Sequence, residues 1–231
     1  GNLRDLPDSF TKNMILTLKG RNVMNMLARS VLGLYTLDDK ADDTSIPNVV
    51  DQSLNLIAKF PTIIAYSYHT MRHAYMRKTL SIRHPNPNLS TAENFLLMLK
   101  GDGKYTQLEA DILDLALILH AEHGGGNNST FTIRVTSSTN TDTYSAVASA
   151  ICSLKGPLHG GANHEVLSMM DNIKENVKRW DSEKEVREYL LKILNKKAHD
   201  RSGKIYGIGH AVYTISDPRT ILLKEQSKEL A

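Results

Sequence analysis

Apolar residues recur at every third or fourth position along most of this chain, the period of an amphipathic helix buried on one face. Asn48 to Lys59 and Thr62 to Lys78 both carry it, with Pro61 standing where the second of two helices would start. The stretch from Arg83 to Leu89, with two prolines and two asparagines, reads as a loop. Ser90 and Glu93 then make a capping-box pattern ahead of Phe95, Leu96 and Leu99, and Gly101 closes that helix. Leu108 to His123 puts Ile112, Leu115 and Leu119 on one stripe before three glycines stop it. Tyr144 to Leu154 follows, closed by Gly156 and Pro157. Further stripes run through Val166, Met169 or Met170, Ile173 and Val177, and through Val186, Tyr189 or Leu190, Ile193 and Leu194, the latter behind Ser182 and Glu185. Asp217 as N-cap with Pro218 at the first helical position marks the last start. The expected fold class is all-α.

One segment opposes this reading. Thr130 to Thr136 alternates Phe131, Ile133 and Val135 with polar residues, which is a strand pattern. A lone strand in a helical chain has no neighbour to pair with, so helix is expected there too.

Composition narrows the class. The 231 residues fit one large domain or two small ones. With 41% hydrophobic and 23% charged residues, disordered and fibrous classes drop out. Lys and Arg number 28 against 25 acidic residues, a balance of +3, too weak to argue for nucleic acid. No apolar run is long enough to span a membrane. The single cysteine, Cys152, excludes an internal disulfide framework and points to a reducing, cytoplasmic setting. Residues 1–8 lack the marks of a signal peptide, and the chain opens on Gly1 rather than methionine. We expect it to begin inside a longer protein.

The chemistry-bearing residues cluster at breaks between helices. His120 and His123 sit three apart at the end of one apolar helix, where a histidine commonly bonds the last carbonyls. A zinc site through the pair needs further ligands that no neighbouring pattern offers, so no metal is expected. His159 lies among Gly156, Gly160 and Gly161, which let backbone approach a ligand closely. His164 reads as an ordinary first-turn residue. His210 follows Gly207 and Gly209, but only two glycines of a dinucleotide fingerprint are present, without a strand–helix frame. Arg219 is a cation in a first turn, opposed by the helix dipole; it is either exposed or faces an anion together with free N–H groups. The run from Lys196 to Arg201 is a solvated helix end or a phosphate contact. There is no nucleophile elbow of the GxSxG type, and the run at Gly101 lacks P-loop spacing.

Four motifs, NLSTAENFLLMLKG, LHAEHGGGNNST, GPLHGGANHEVL and GIGHAVYTISDPR, occur in an order and spacing that resemble the citrate synthase family. The resemblance runs from about Leu6 to the last residue. It implies an all-helical homodimer with a large and a small domain, here incomplete at both ends, residues 1–159 belonging to the large domain and 160–231 to the small. It implies an acyltransferase of the tricarboxylic acid cycle that joins acetyl-CoA to oxaloacetate and water, giving citrate and CoA. On that pattern His159 holds the thioester carbonyl oxygen as the enol forms, and His210 serves the ketone of oxaloacetate. His123 and Arg219 bind its carboxylates, and Lys204, Ile205, Tyr206, Gly207 and Ile208 line the CoA site. Acetyl-CoA is then a substrate, and no resident cofactor is implied.

The departures matter equally. The family's carboxylate base is an aspartate downstream of the DPR helix, and this sequence ends at Ala231. We therefore expect the 231-residue chain by itself to lack efficient synthase activity and the full-length parent to have it. Two alternatives stay open: a 2-methylcitrate synthase using propionyl-CoA, and a non-catalytic helical module that binds an anion or a partner. One extra methylene shifts discrimination by only about 1–3 kcal/mol, and no pocket wall can be assigned to it.

Overall fold

The computed structural model describes residues 2–122, 124–209 and 214–230. They form helices α1 (Asp8–Phe10), α2 (Val23–Leu34), α3 (Ile46–Met76), α4 (Thr91–Leu99), α5 (Gln107–Leu119), α6 (Asn128–Ser137), α7 (Thr143–Leu154), α8 (Pro157–Gly160), α9 (Ala162–Asn176), α10 (Glu183–Leu194) and α11 (Pro218–Ser227). No strand occurs among the described residues. Two compact units result, one of Gly1–Leu154 with Asp217–Ala231, the other of Lys155–Ser216.

The largest departure from the sequence reading is α3. The expected break at Pro61 is absent, and one helix of 31 residues runs through it. A proline inside a helix removes one hydrogen bond and costs about 3 kcal/mol. Against that stand Leu56, Ile63, Ala65 and Tyr66, all buried on both sides of the proline, each large side chain contributing roughly 1.5–3 kcal/mol by burial. Burial wins, and the helix stays whole. It ends where Arg77 turns left-handed (φ 55°) and the Lys78 N–H reaches back to the Arg72 carbonyl.

Capping chemistry sets the other boundaries. Ser90 and Glu93 satisfy each other's backbone N–H groups at the start of α4, and Thr106 and Glu109 repeat the device at α5. The alternating Thr130 to Thr136 segment is helical, inside α6, because the Asn127 side chain accepts the Thr130 N–H at 2.8 Å and α7 packs along it. At α10 the Ser182 hydroxyl accepts the Glu185 N–H, but the Glu185 carboxylate turns to the Lys178 N–H and Arg179 instead.

In the first unit α2 and α7 bury Met26, Leu27, Val31, Tyr144 and Ile151 against α3. Asp38 pins the 35–45 connection to this core. Its carboxylate accepts the Tyr144 hydroxyl (2.8 Å), the Gln52 amide (2.9 Å) and the Lys40 N–H (2.9 Å). Burial works against the charged form of Asp38, yet those hydrogen bonds outweigh it and hold its pKa below the usual value. Burial and the same contact push the Tyr144 phenol well up. In the second unit Met169, Ile173 and Val177 of the α9 stretch meet Ile193 of α10, with Tyr189 and Ile205 packed around them. Met170 and Leu194 face out, which settles the stripe on Met169 and Ile193.

Candidate active site

The first unit carries one candidate region at the end of α5. His120 is exposed, and its Nδ1 donates to the Ala116 carbonyl at 2.6 Å, so it caps its own helix. Two more histidines spend a ring nitrogen on backbone carbonyls: buried His69 on Met98, and His73 on Lys78. After His120 the chain turns at Gly124 (φ 71°), whose N–H donates to the Glu122 carboxylate. Asn127 closes the loop by capping α6 and donating to the Gly124 carbonyl at 3.1 Å. An open cleft of about 350 Å³ lies here, lined by His120, Glu122, Gly124, Gly125, Asn127, Thr130 and Arg134. His123 belongs to this loop in sequence and lies outside the described residues, as does His210.

Glu122, Asn127, Thr130 and Arg134 were not singled out from sequence. An asparagine ahead of Ser129 and Thr130 is an N-cap signal that could have marked Asn127, while the strand-like alternation hid the fact that Arg134 shares a helix with Thr130.

Arg219 opens α11, which packs on α5. Its placement against the dipole has a local explanation. Asp217 accepts the Arg219 backbone N–H at 2.9 Å as N-cap, and the guanidinium Nε (3.1 Å) and Nη2 (2.6 Å) donate to the same carboxylate. One anion therefore starts the helix and offsets the cation within it.

The second unit carries the remaining expected residues. His159 sits in the four-residue helix α8, where the His159 and Gly160 N–H groups both donate to the Gly156 carbonyl (3.0 and 2.9 Å). Gly161 joins α8 to α9 for a steric reason: a Cβ there would stand 2.3 Å from the Pro157 carbonyl oxygen. We expect Gly161→Ala to destabilise the chain by about 1–3 kcal/mol as the junction opens. Gly101→Ala, with nothing within 4 Å of its Cβ, should change stability by about 0.5 kcal/mol or less. Denaturant melts of both variants check the contrast, and equal midpoints would refute it.

The stretch Lys204 to Ile208 also belongs to this unit, with Gly207 at φ 83° over Val166. The Tyr206 hydroxyl donates to Asp200 at 2.5 Å. That bond, with the Ser202 N–H, lowers the Asp200 pKa to about 2, and it raises the Tyr206 phenol in return. The run read as a solvated helix end or a phosphate contact is a tightly folded loop, in which Lys196, His199 and Arg201 are all left-handed.

A family model described as the citrate synthase C-terminal domain matches residues 1–231. The chain belongs to the citrate synthase family. It is 40% identical over 202 residues to a citrate synthase of Synechocystis sp., covering 87% of this chain and 45% of that one. It is 38% identical over 228 residues to a citrate synthase of Deinococcus radiodurans, covering 99% and 55%. The crystal structure of citrate synthase from Pyrobaculum aerophilum superposes with a TM-score of 0.76 at 30% identity, over 99% of this chain and 54% of that one. The chain thus spans about half the length of the curated relatives it matches.

Proposed function

We propose that the protein carrying this chain condenses acetyl-CoA with oxaloacetate and water to give citrate and CoA. The observation that carries the reading is the family match across residues 1–231, in a chain that holds all four histidine, glycine and DPR motifs in order.

Each role follows from what the reaction needs. The thioester methyl is a weak acid, so its proton leaves only while a donor holds the carbonyl oxygen; His159 is that donor. The new carbon–carbon bond forms at the oxaloacetate ketone, whose oxygen takes up a proton with the help of His210. His123 and Arg219 hold the two carboxylates, and residues 204–208 receive CoA as a substrate, with no resident cofactor. Water then cleaves the thioester. Asp217 is engaged with its own helix start and with Arg219, which supports assigning the base to another carboxylate.

We assign residues 1–159 to a large domain and 160–231 to a small one; the compact units above are groupings by packing and a separate matter. We take the protein to be a cytoplasmic homodimer. An exposed apolar stripe on α3 (Ile46, Val50, Leu54, Ile57) supports a second copy as its cover. Among the described residues no helix is long and apolar enough to cross a membrane.

The test is CoA release by the intact protein, measured with a thiol reagent, alongside its mass by light scattering. Release that depends on both oxaloacetate and acetyl-CoA, from a particle of about twice the protomer mass, is expected. Release without oxaloacetate dependence would sink the reading. The chain is also 38% identical over 176 residues to a 2-methylcitrate synthase of Shewanella oneidensis, so propionyl-CoA runs beside acetyl-CoA, and faster turnover of propionyl-CoA would overturn the substrate assignment.

A further inference from the structure

The second unit holds a cluster that the proposed chemistry leaves unused. Glu165 on α9 and the adjacent His199 and Asp200 each bring a ligand atom within 4.8 Å of the other two. Among the described residues, no imidazole and no carboxylate of this group pairs with another at ion-pair distance, and no lysine or arginine pairs with Glu165 or Asp200. The His199 Nε2 is shielded from solvent and meets no hydrogen-bond partner among the described residues. A buried ring nitrogen without a partner is rare, because leaving it so costs free energy that a ligand recovers.

We propose that Glu165, His199 and Asp200 bind a divalent transition-metal ion, for which Zn²⁺ is the best match. The separations lie within 4.8 Å. They suit donors that each sit about 2.0–2.2 Å from a shared ion after a small side-chain movement. One imidazole and two carboxylates form a borderline donor set that favours zinc over the harder magnesium. The backbone supports the arrangement: His199 is left-handed (φ 53°), which directs consecutive side chains from one tight turn, and Asp200 is oriented by Tyr206 and the Ser202 N–H. Three protein ligands leave coordination positions for water.

The experiment uses the untagged chain, dialysed against chelator and titrated with Zn²⁺ or Mg²⁺ by calorimetry. About one equivalent of Zn²⁺ binds per chain and Mg²⁺ binds more weakly. Glu165→Gln and His199→Asn each weaken Zn²⁺ binding by about tenfold or more; asparagine keeps the left-handed backbone accessible. Zn²⁺ raises the melting temperature of the parent chain and leaves that of the variants unmoved, a readout independent of activity. Full Zn²⁺ affinity in folded Glu165→Gln and His199→Asn chains would overturn the site. So would loss of binding in His120→Ala, which would move the ion to the other unit.

Discussion

Under the proposed assignment, replacing His159 with glutamine in the intact protein is expected to lower kcat for citrate formation by about 10²- to 10³-fold and to leave KM for oxaloacetate nearly unchanged. A donor aimed at a developing enolate oxygen acts only as charge builds there, so its removal costs about 2.7–4 kcal/mol of transition-state stabilisation and little ground-state binding. The local structure suits a donor that must not drift. α8 is four residues long, opens at Gly156-Pro157 and shares the Gly156 carbonyl between the His159 and Gly160 N–H groups. Its far end is fixed by Gly161, where no larger residue fits beside the Pro157 oxygen. Steady-state kinetics with melting curves on the same preparations separate this role from a structural one. An unchanged kcat, or a rate loss that tracks a fall in melting temperature and a rise in KM, would remove His159 from the chemistry.

Asn94→Ala lowers the stability of the chain by about 2–4 kcal/mol, the cost of breaking a buried polar network. Asn94 is fully buried in α4. Its Oδ1 accepts the Asn86 N–H at 2.7 Å, while the two hydrogens on its Nδ2 are shared among the carbonyls of Asn86 (2.9 Å), Leu89 (3.0 Å) and Ser90 (2.9 Å). One amide thus supplies what the proline-rich 83–89 loop cannot supply for itself, since a loop without ladder bonds must find partners elsewhere. The Leu89 carbonyl keeps the Arg4 guanidinium after the substitution, whereas among the described residues the Asn86 N–H has Asn94 as its acceptor. At roughly 2–4 °C per kcal/mol for a chain of this size, thermal unfolding should shift down by about 5–15 °C. Asn94→Asp turns the donor into an acceptor facing three carbonyls and should be at least as damaging. Asn94→Leu fills the volume without the bonds; parent-like stability in that variant would show that packing alone was at stake.

What was readable in the sequence was local. The Ser90–Glu93 box and the Asp217-Pro218 start appear as expected because both ends of each interaction lie within a few residues. Pro61 misled for the opposite reason. Its effect on the backbone is local and visible, whereas the burial that overrides it depends on α2 and α7, distant in sequence. The Asp38–Tyr144 bond spans 106 positions and the Thr62–Arg4 bond 58, and neither leaves a trace in spacing. For the candidate site the motifs named the histidines through family likeness. They did not show that Asp217 and Arg219 share a contact, or that His199 leaves a ring nitrogen unsatisfied.

The double duty of Asp217 bears on how selective an arginine at this position can be. In the substrate role proposed for Arg219, a guanidinium already gripped by a carboxylate would not be offered to an incoming dianion as a bare hydrated charge; recruitment would exchange one carboxylate for another. Such a swap nearly cancels in charge, so ranking among dianions of equal charge rests on length and shape. The Asp217 Oδ1 bond to the Arg219 backbone N–H does not depend on where the guanidinium goes, so the helix can keep its first turn while its arginine changes partners.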